Sequence, residues 1–351
     1  MTAMLNEKLV TEMFGDKEAR WFQISVRNQT HAALVEGHKR ICIIQPTGTG
    51  KTISSGLILI DDGIREVLGV DDNEDLIVLF VSHRKRLLTQ AEKTYADCEK
   101  LKVIPHSMMS ELPIGIKFHI VIIDECHHEA TLSFQHQLER ISEAPIIGLT
   151  ATPDRNDGRL CKFSKFIEPL TREEAVKQGF LAESDVFTFV DSPTKTHVEI
   201  SLDIIKHHHM NMGQQMVFCK TKEEAEELAA GIRGMGLTCE LLVDISEKEL
   251  NVKLGEFEEK KHQFSISCMK LGEGVDVKGC EGILIARTLK SRGLLNQFIG
   301  RAARLGSDCR VYEIINPLAS DNISAVDIVG VPRSHKFFYK VRGVWRDHVL
   351  T

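Results

Sequence analysis

The sequence predicts an α/β chain of two domains, each a mainly parallel sheet flanked by helices. Three observations carry that prediction. Short, continuous apolar runs alternate with helix-like segments, the pattern of strands buried on both faces of a sheet. In the first half, a polar cluster follows the end of every strand-like run, and open α/β sheets bind ligands at the carboxyl ends of their strands. A second series of the same kind starts near Met216. The length of 351 residues suits about two domains, each large enough to bury its own core.

Taken in order, Arg20-Trp21-Phe22-Gln23 opens a helix expected to run to about Gly37. Residues 41–44 read as a buried strand, followed by Gln45-Pro46-Thr47-Gly48-Thr49-Gly50-Lys51-Thr52. Glycines 48 and 50 let the backbone curl so that successive N–H groups face one anion. Thr52 leads into an apolar segment, residues 53–60, expected to be a helix that stops near Gly63. Strand, glycine-rich turn and helix N-terminus make a phosphate cradle, with Lys51 as the point charge and Thr52 as a hydroxyl ligand for Mg²⁺. The spacing departs from the strict G-x-x-x-x-G-K-[ST], because Gln45 stands where the first glycine belongs.

Residues 75–82 form the next expected strand. Ser82 caps a helix that begins with His83-Arg84-Lys85-Arg86. A third strand, 119–123, ends in Asp124-Glu125-Cys126-His127-His128, and a fourth, 145–149, ends in Thr150-Ala151-Thr152-Pro153. Asp124-Glu125 supplies what a phosphate loop lacks: one carboxylate to hold Mg²⁺ and a neighbour to orient water. A bond from His127 or His128 to the Thr150–Thr152 strand end is expected, as a route for coupling hydrolysis to movement.

The pattern then changes, and the connection between domains is placed at 166–195, separating a domain over 1–165 from one over 196–351. The second series comprises strands at 216–219, 241–243, 264–267, 282–286 and 311–315. Leu271-Gly272-Glu273-Gly274-Val275-Asp276 is a tight turn with two carboxylates. Gln297-Phe298-Ile299-Gly300-Arg301-Ala302-Ala303-Arg304 sets two arginines three apart on one helical face, suited to a triphosphate. His207-His208-His209 admits a metal site, but adjacent helical residues point in different directions, which favours a solvated helix end. The tail over 333–346 mixes Lys and Arg with Phe337, Phe338, Tyr339 and Trp345. Bases stacking on those rings is one reading; packing of the rings back onto the second domain is preferred.

Composition narrows the classes. The chain is 42% hydrophobic and 27% charged, ordinary for a globular protein. Its longest apolar runs are strand-sized, so no membrane span is expected. No signal-peptide pattern opens the chain, and nine scattered cysteines without C-x-x-C pairs suit reduced thiols. A cytoplasmic location is the expectation. The net charge of −6 does not advertise a nucleic-acid binder.

Gln-Pro-Thr-Gly-Thr-Gly-Lys-Thr, Asp-Glu-Cys-His-His, Thr-Ala-Thr-Pro, Gly-Glu-Gly-Val-Asp and Gln-x-x-Gly-Arg-x-x-Arg together resemble, in that order, the motifs of superfamily 2 helicases. The resemblance spans roughly residues 20–315. The run from Leu149 to Gly158, Ser291 and the tail are similar to the XPB/UvsW-type DNA helicase branch. The resemblance implies two RecA-like domains with ATP in a cleft between them and nucleic acid across their tops. It implies that Gln23 reads adenine with Arg20 nearby, and that Thr47, Gly48, Thr49, Gly50, Lys51 and Thr52 hold phosphates and Mg²⁺. Asp124 would hold the metal and Glu125 the water, with Thr150 and Thr152 coupling. Gly274 and Asp276 would face the site from the second domain; Arg301 and Arg304 would be fingers, with Gln297 in the same motif. His83 and Arg84 lie where the family touches the nucleic-acid backbone. Two departures weaken the second domain's grip: no arginine lies in 244–257, and Cys268 stands where Thr or Asn is usual.

The resulting expectation is an ATP- and Mg²⁺-dependent DNA helicase or translocase acting on single-stranded, duplex or branched DNA, with a protein partner able to supply specificity. RNA, the motor of a restriction complex, and a non-translocating ATP-binding module are the alternatives.

Overall fold

The computed structural model describes residues 12–83, 85–108, 110–113, 115–126, 138, 143–151, 163–268, 280–302, 309–319, 321–341 and 344–349. The chain divides into two compact units. One is built from residues up to Leu170 apart from the loop Pro46–Thr49; the other contains that loop and Thr171–Thr351.

The first unit opens with a short antiparallel pair, β1 (Met13–Phe14) and β2 (Lys17–Glu18). Helix α1 (Trp21–Val35) follows, then β3 (Arg40–Ile44), α2 (Lys51–Leu59), α3 (Asp62–Val67), β4 (Leu76–Ser82), α4 (Lys85–Tyr95), β5 (Leu101–Ser107), β6 (Ile120–Asp124), β7 (Ile146–Thr150) and β8 (Lys165–Ile167). The six longer strands form one parallel sheet in the order β5-β4-β6-β7-β3-β8. Alternation along each strand explains why these runs are apolar throughout. Ile41, Ile43, Val78, Phe80, Ile120 and Ile122 enter a core on one face. Cys42, Leu79, Val81, Val121 and Ile123 enter another on the opposite face.

Three differences from the sequence reading have local causes. Helix α2 begins at Lys51, because Gly50 in a left-handed conformation turns the chain directly into it. The helical stretch does not simply stop after Ile60: Asp61 caps α3 by accepting from the Ile64 N–H at 2.9 Å. Strand β5 was not anticipated. It is a half-exposed edge strand containing Pro105, whose missing donor an edge tolerates.

In the second unit come α5 (Arg172–Lys177), β9 (Ser184–Val190), α6 (His197–Met212), β10 (Gln215–Cys219), α7 (Lys222–Gly234), β11 (Cys239–Leu241), α8 (Glu247–Glu258), β12 (Phe264–Cys268), β13 (Gly282–Ala286), α9 (Arg292–Ala302), β14 (Cys309–Ile315), α10 (Val326–Val329), β15 (Ser334–Val341) and β16 (Val344–Val349). The sheet order is β11-β12-β10-β13-β14-β9-β15-β16, parallel except for the last pair. Thr171, Thr196, Thr221 and Ser246 each cap a helix and receive a glutamate three residues on, a reciprocal arrangement that starts α5, α6, α7 and α8.

Two whole elements occupy the interval 166–195, expected to connect the domains. Helix α5 and strand β9 lie in it, and β9 sits between β14 and β15. The tail packs back as preferred. Phe338 stacks on Phe189 at 4.5 Å, and Trp345 meets the same ring edge-on at 5.2 Å. The triple histidine is not simply solvated. The His207 and His209 rings bond to the Asp203 and Ile205 carbonyls, while half-buried His208 meets Phe189 and Phe338 edge-on. Among the described residues, no cluster of three His, Cys, Asp or Glu side chains is fit to hold a metal ion. Among them, too, no helix is long and apolar enough to cross a membrane.

Candidate active site

Strand order brings the chemistry of the first unit together. Val81 on β4 pairs with Ile123 on β6, and Asp124 on β6 pairs with Leu149 on β7. Ile44 on β3 pairs with Thr150. The ends of four strands thus place His83, Asp124-Glu125, Thr150 and Gln45, the residue that leads into the phosphate loop, along one edge of the sheet. The Gln45 N–H donates to the Thr150 carbonyl at 2.9 Å, tying the loop's first residue to the end of β7.

The loop is held by its own atoms. Thr49 donates from Oγ1 to the Pro46 carbonyl at 2.7 Å and from its N–H to the same oxygen at 3.3 Å. Gly48 and Gly50 have φ of 90° and 87°, in the region that side chains other than glycine rarely enter. At Gly50 space is also decisive, since a Cβ there would stand 2.7 Å from Nε2 of Gln23. The Gln23 amide is held at both ends: Oε1 accepts from the Arg20 N–H at 2.8 Å, and Nε2 donates to the Gly50 carbonyl at 3.5 Å. Arg20 and Gln23, expected to face adenine, thus join the start of α1 to the phosphate loop.

Lys51 opens α2, and its Nζ lies 3.6 Å from Oε1 of Glu125. Glu125 itself sits at φ 51°, a left-handed conformation that bends the chain sharply after β6. The bend lets the Glu125 N–H donate to Oδ1 of Asp124 at 3.1 Å. Burial, reinforced by the neighbouring Glu125 charge, pushes the Asp124 carboxyl up to about 6, against the pull of Lys51, the Glu125 N–H and His83. Such a carboxyl gains from added positive charge. The Asp124 carboxyl oxygens, and the Thr52 hydroxyl at the first turn of α2, are of the hard donor type that Mg²⁺ prefers.

His83, expected at the nucleic-acid backbone, is close enough to Asp124 to favour its charged form. Their proximity follows from β4 and β6 being neighbours, which sequence order alone does not give. Sequence reasoning also missed Ser55 and Tyr95. Ser55 Oγ lies 3.1 Å from the carbonyls of both Lys51 and Thr52, and 2.7 Å from the Tyr95 hydroxyl on α4. No local pattern signals a contact between residues forty apart.

In the second unit, Gln297 and Arg301 lie on α9, where Gln297 is buried and its Oε1 has no hydrogen-bond partner. The remaining expected residues, Arg84, His127, His128, Thr152, Gly274, Asp276 and Arg304, lie outside the described residues.

Two family models match the chain. "Type III restriction enzyme, res subunit" covers residues 16–111 and 100–155, and "Helicase conserved C-terminal domain" covers 196–306. Among curated proteins, irc3 of Schizosaccharomyces pombe, which carries the name of a mitochondrial ATP-dependent helicase, is 26% identical over 341 residues, covering 82% of this chain and 55% of the relative. IRC3 of Saccharomyces cerevisiae, named as an ATP-dependent helicase, is 23% identical over 383 residues, 92% of this chain and 55% of its own. The chain thus spans about half the length of these relatives. Among solved structures, a fragment described as an HsdR subunit of a type I restriction enzyme from Vibrio vulnificus superposes with a TM-score of 0.71 at 20% identity, covering 91% of this chain and 68% of the other. That likeness shows a shared α/β fold.

Proposed function

Because the chain belongs to superfamily 2 of the helicases, we propose that it is an ATP-dependent motor on DNA that translocates along or remodels duplex or branched substrates. The observation that carries the reading is the Lys51–Glu125–Asp124 cluster at the edge of the first sheet. Loop N–H groups and Lys51 would neutralise the phosphates of ATP, with Gln23 and Arg20 toward the base. Asp124 and Thr52 would hold Mg²⁺, which when bound supplies charge neutralisation to the phosphoryl oxygens. Lys51 and Glu125 are ion-paired, so a phosphate accepted by Lys51 competes for that ammonium and frees Glu125 to orient water and take its proton. On this reading Arg301 and Arg304 act as fingers on the transferred phosphoryl, Gly274 and Asp276 face it, and His127, His128, Thr150 and Thr152 couple turnover to movement.

DNA is preferred to RNA because the match over residues 16–155 is to a restriction-enzyme subunit, and restriction enzymes act on DNA. The same match favours a second reading, the motor portion of a restriction complex, which would copurify with nuclease or methyltransferase subunits. Contacts to phosphates carry no sequence information, so weak sequence preference and strong salt dependence are expected. The test is ATP hydrolysis across single-stranded, duplex, forked and four-way-junction DNA, with RNA of matched sequence. Stimulation by DNA well above RNA supports the proposal. Equal or greater stimulation by RNA overturns the DNA assignment, and turnover indifferent to every nucleic acid overturns the motor. Lys51→Ala is expected to abolish stimulated turnover while circular dichroism stays unchanged.

A further inference from the structure

Helix α4 starts directly after the His83-Arg84 cluster and ends, eleven residues on, at Tyr95, about 15 Å away along a helix. The Tyr95 ring is buried, and Phe14 and Phe80 lie 6.1 and 6.0 Å from it. Its hydroxyl reaches across to α2, lying 2.7 Å from Ser55 Oγ and 3.5 Å from the Thr52 carbonyl. Ser55 in turn bonds back to the carbonyls of Lys51 and Thr52, the two residues expected to meet phosphate and metal. The donors can be ordered one way that satisfies all of them: Tyr95 O–H donates to Ser55 Oγ, whose own proton goes to the backbone. A buried hydroxyl pair adds little net stability, since it replaces hydrogen bonds made to water in the unfolded chain. Phe and Ala would pack in the same places.

Resting on the motor reading above, we infer that the Tyr95–Ser55 hydroxyl pair is a positioning link through which α4, with nucleic acid engaged at His83 just ahead of it, sets the phosphate-binding turn of α2. Tyr95 touches neither substrate directly. It acts by fixing where the Lys51 and Thr52 backbone stands relative to α4. Removing the hydroxyl leaves both helices packed and lets the first turn of α2 drift when α4 moves.

The test uses the full chain with Tyr95→Phe, Ser55→Ala and the double substitution, reading melting temperature, fluorescent-ADP affinity, basal turnover and DNA-stimulated turnover. In each single variant, ADP affinity and basal turnover should stay within about twofold of wild type, while stimulated turnover falls about fivefold or more, the scale of one lost hydrogen bond. The double substitution should be no worse than the weaker single, because both remove the same link. Stimulation in Tyr95→Phe equal to wild type overturns the link and leaves the motor reading standing. Basal and stimulated turnover falling together with melting temperature also overturn it, as a merely structural role would predict. A wild type that no nucleic acid stimulates overturns the motor reading, and the link falls with it.

Discussion

Asp124 in the first unit and Glu313 in the second are both carboxyls that burial pushes above the usual range, yet their surroundings differ in kind. Glu313, at 2% exposure, is enclosed by donors: Thr188 Oγ1 at 2.7 Å, Ser324 Oγ at 2.6 Å and the Ala325 N–H at 2.6 Å. His335 closes the set by bonding to Thr188 at 3.0 Å. Asp185 nearby is held below the usual range against its burial by Arg333 and Ser334. These groups complete one another. Asp124 instead faces a second carboxylate, takes the N–H of a residue in left-handed conformation, and shares one lysine with its neighbour. A satisfied buried carboxyl holds a sheet together, whereas one left wanting positive charge is poised to receive it.

Glu125→Gln should break the comparison most visibly. Removing a water-orienting carboxylate is expected to cut stimulated turnover about 100-fold or more, with nucleotide affinity retained, whereas Glu313→Gln should leave turnover unchanged. Equal losses in the two variants would erase the distinction. Next, Glu313→Leu strands the Thr188, Ser324 and Ala325 donors and should cost about 2–4 kcal/mol, measured by urea unfolding.

Asp124→Asn should act in the opposite sense, stabilising the fold by about 1–3 kcal/mol at neutral pH while abolishing activity. The sign follows from the folded carboxyl binding its proton more tightly than the unfolded one. As pH rises from the ordinary carboxylate range to about 6, the unfolded state ionises first, and wild-type stability falls. The variant's advantage therefore grows over that window, is complete above it and vanishes below it. A pH-independent difference between wild type and variant would refute the assignment. The smallest change is Lys340→Met, which removes a cation 4.6 Å from the Trp345 ring and an ion pair with Asp203. Asp203 keeps Lys195 at 3.8 Å, so about 0.5–1 kcal/mol is expected in thermal melts.

The same contrast explains what could be read from the chain. Runs such as Ile41–Ile44 and the residues around Ile122 are apolar at every position because both sheet faces are covered, so the central strands were legible. β5 was not, because an edge strand with Pro105 and half-exposed side chains looks like a loop. Lys51, Asp124 and Glu125 were legible as motif residues at strand ends. The φ of Glu125, the reach of His83 toward Asp124 and the Tyr95–Ser55 bond were not, since each depends on which strand or helix lies alongside. The tail's aromatic spacing pointed to packing, but not to the β15–β16 hairpin that delivers Phe338 and Trp345 to Phe189.

Strand β9 has a consequence for the order in which the molecule can be made. It precedes every other strand of its sheet in sequence, yet both its neighbours, β14 and β15, lie more than a hundred residues downstream. On a ribosome, β10, β12 and β13 can pair as they emerge, while β9 waits with both edges open until the last strands arrive. An apolar strand kept unpaired for that long is exposed to wrong partners. Strand β3 stands in the same position in the first unit, its neighbours β7 and β8 lying more than a hundred residues downstream, so closing the sheet is the late and vulnerable step in making each unit.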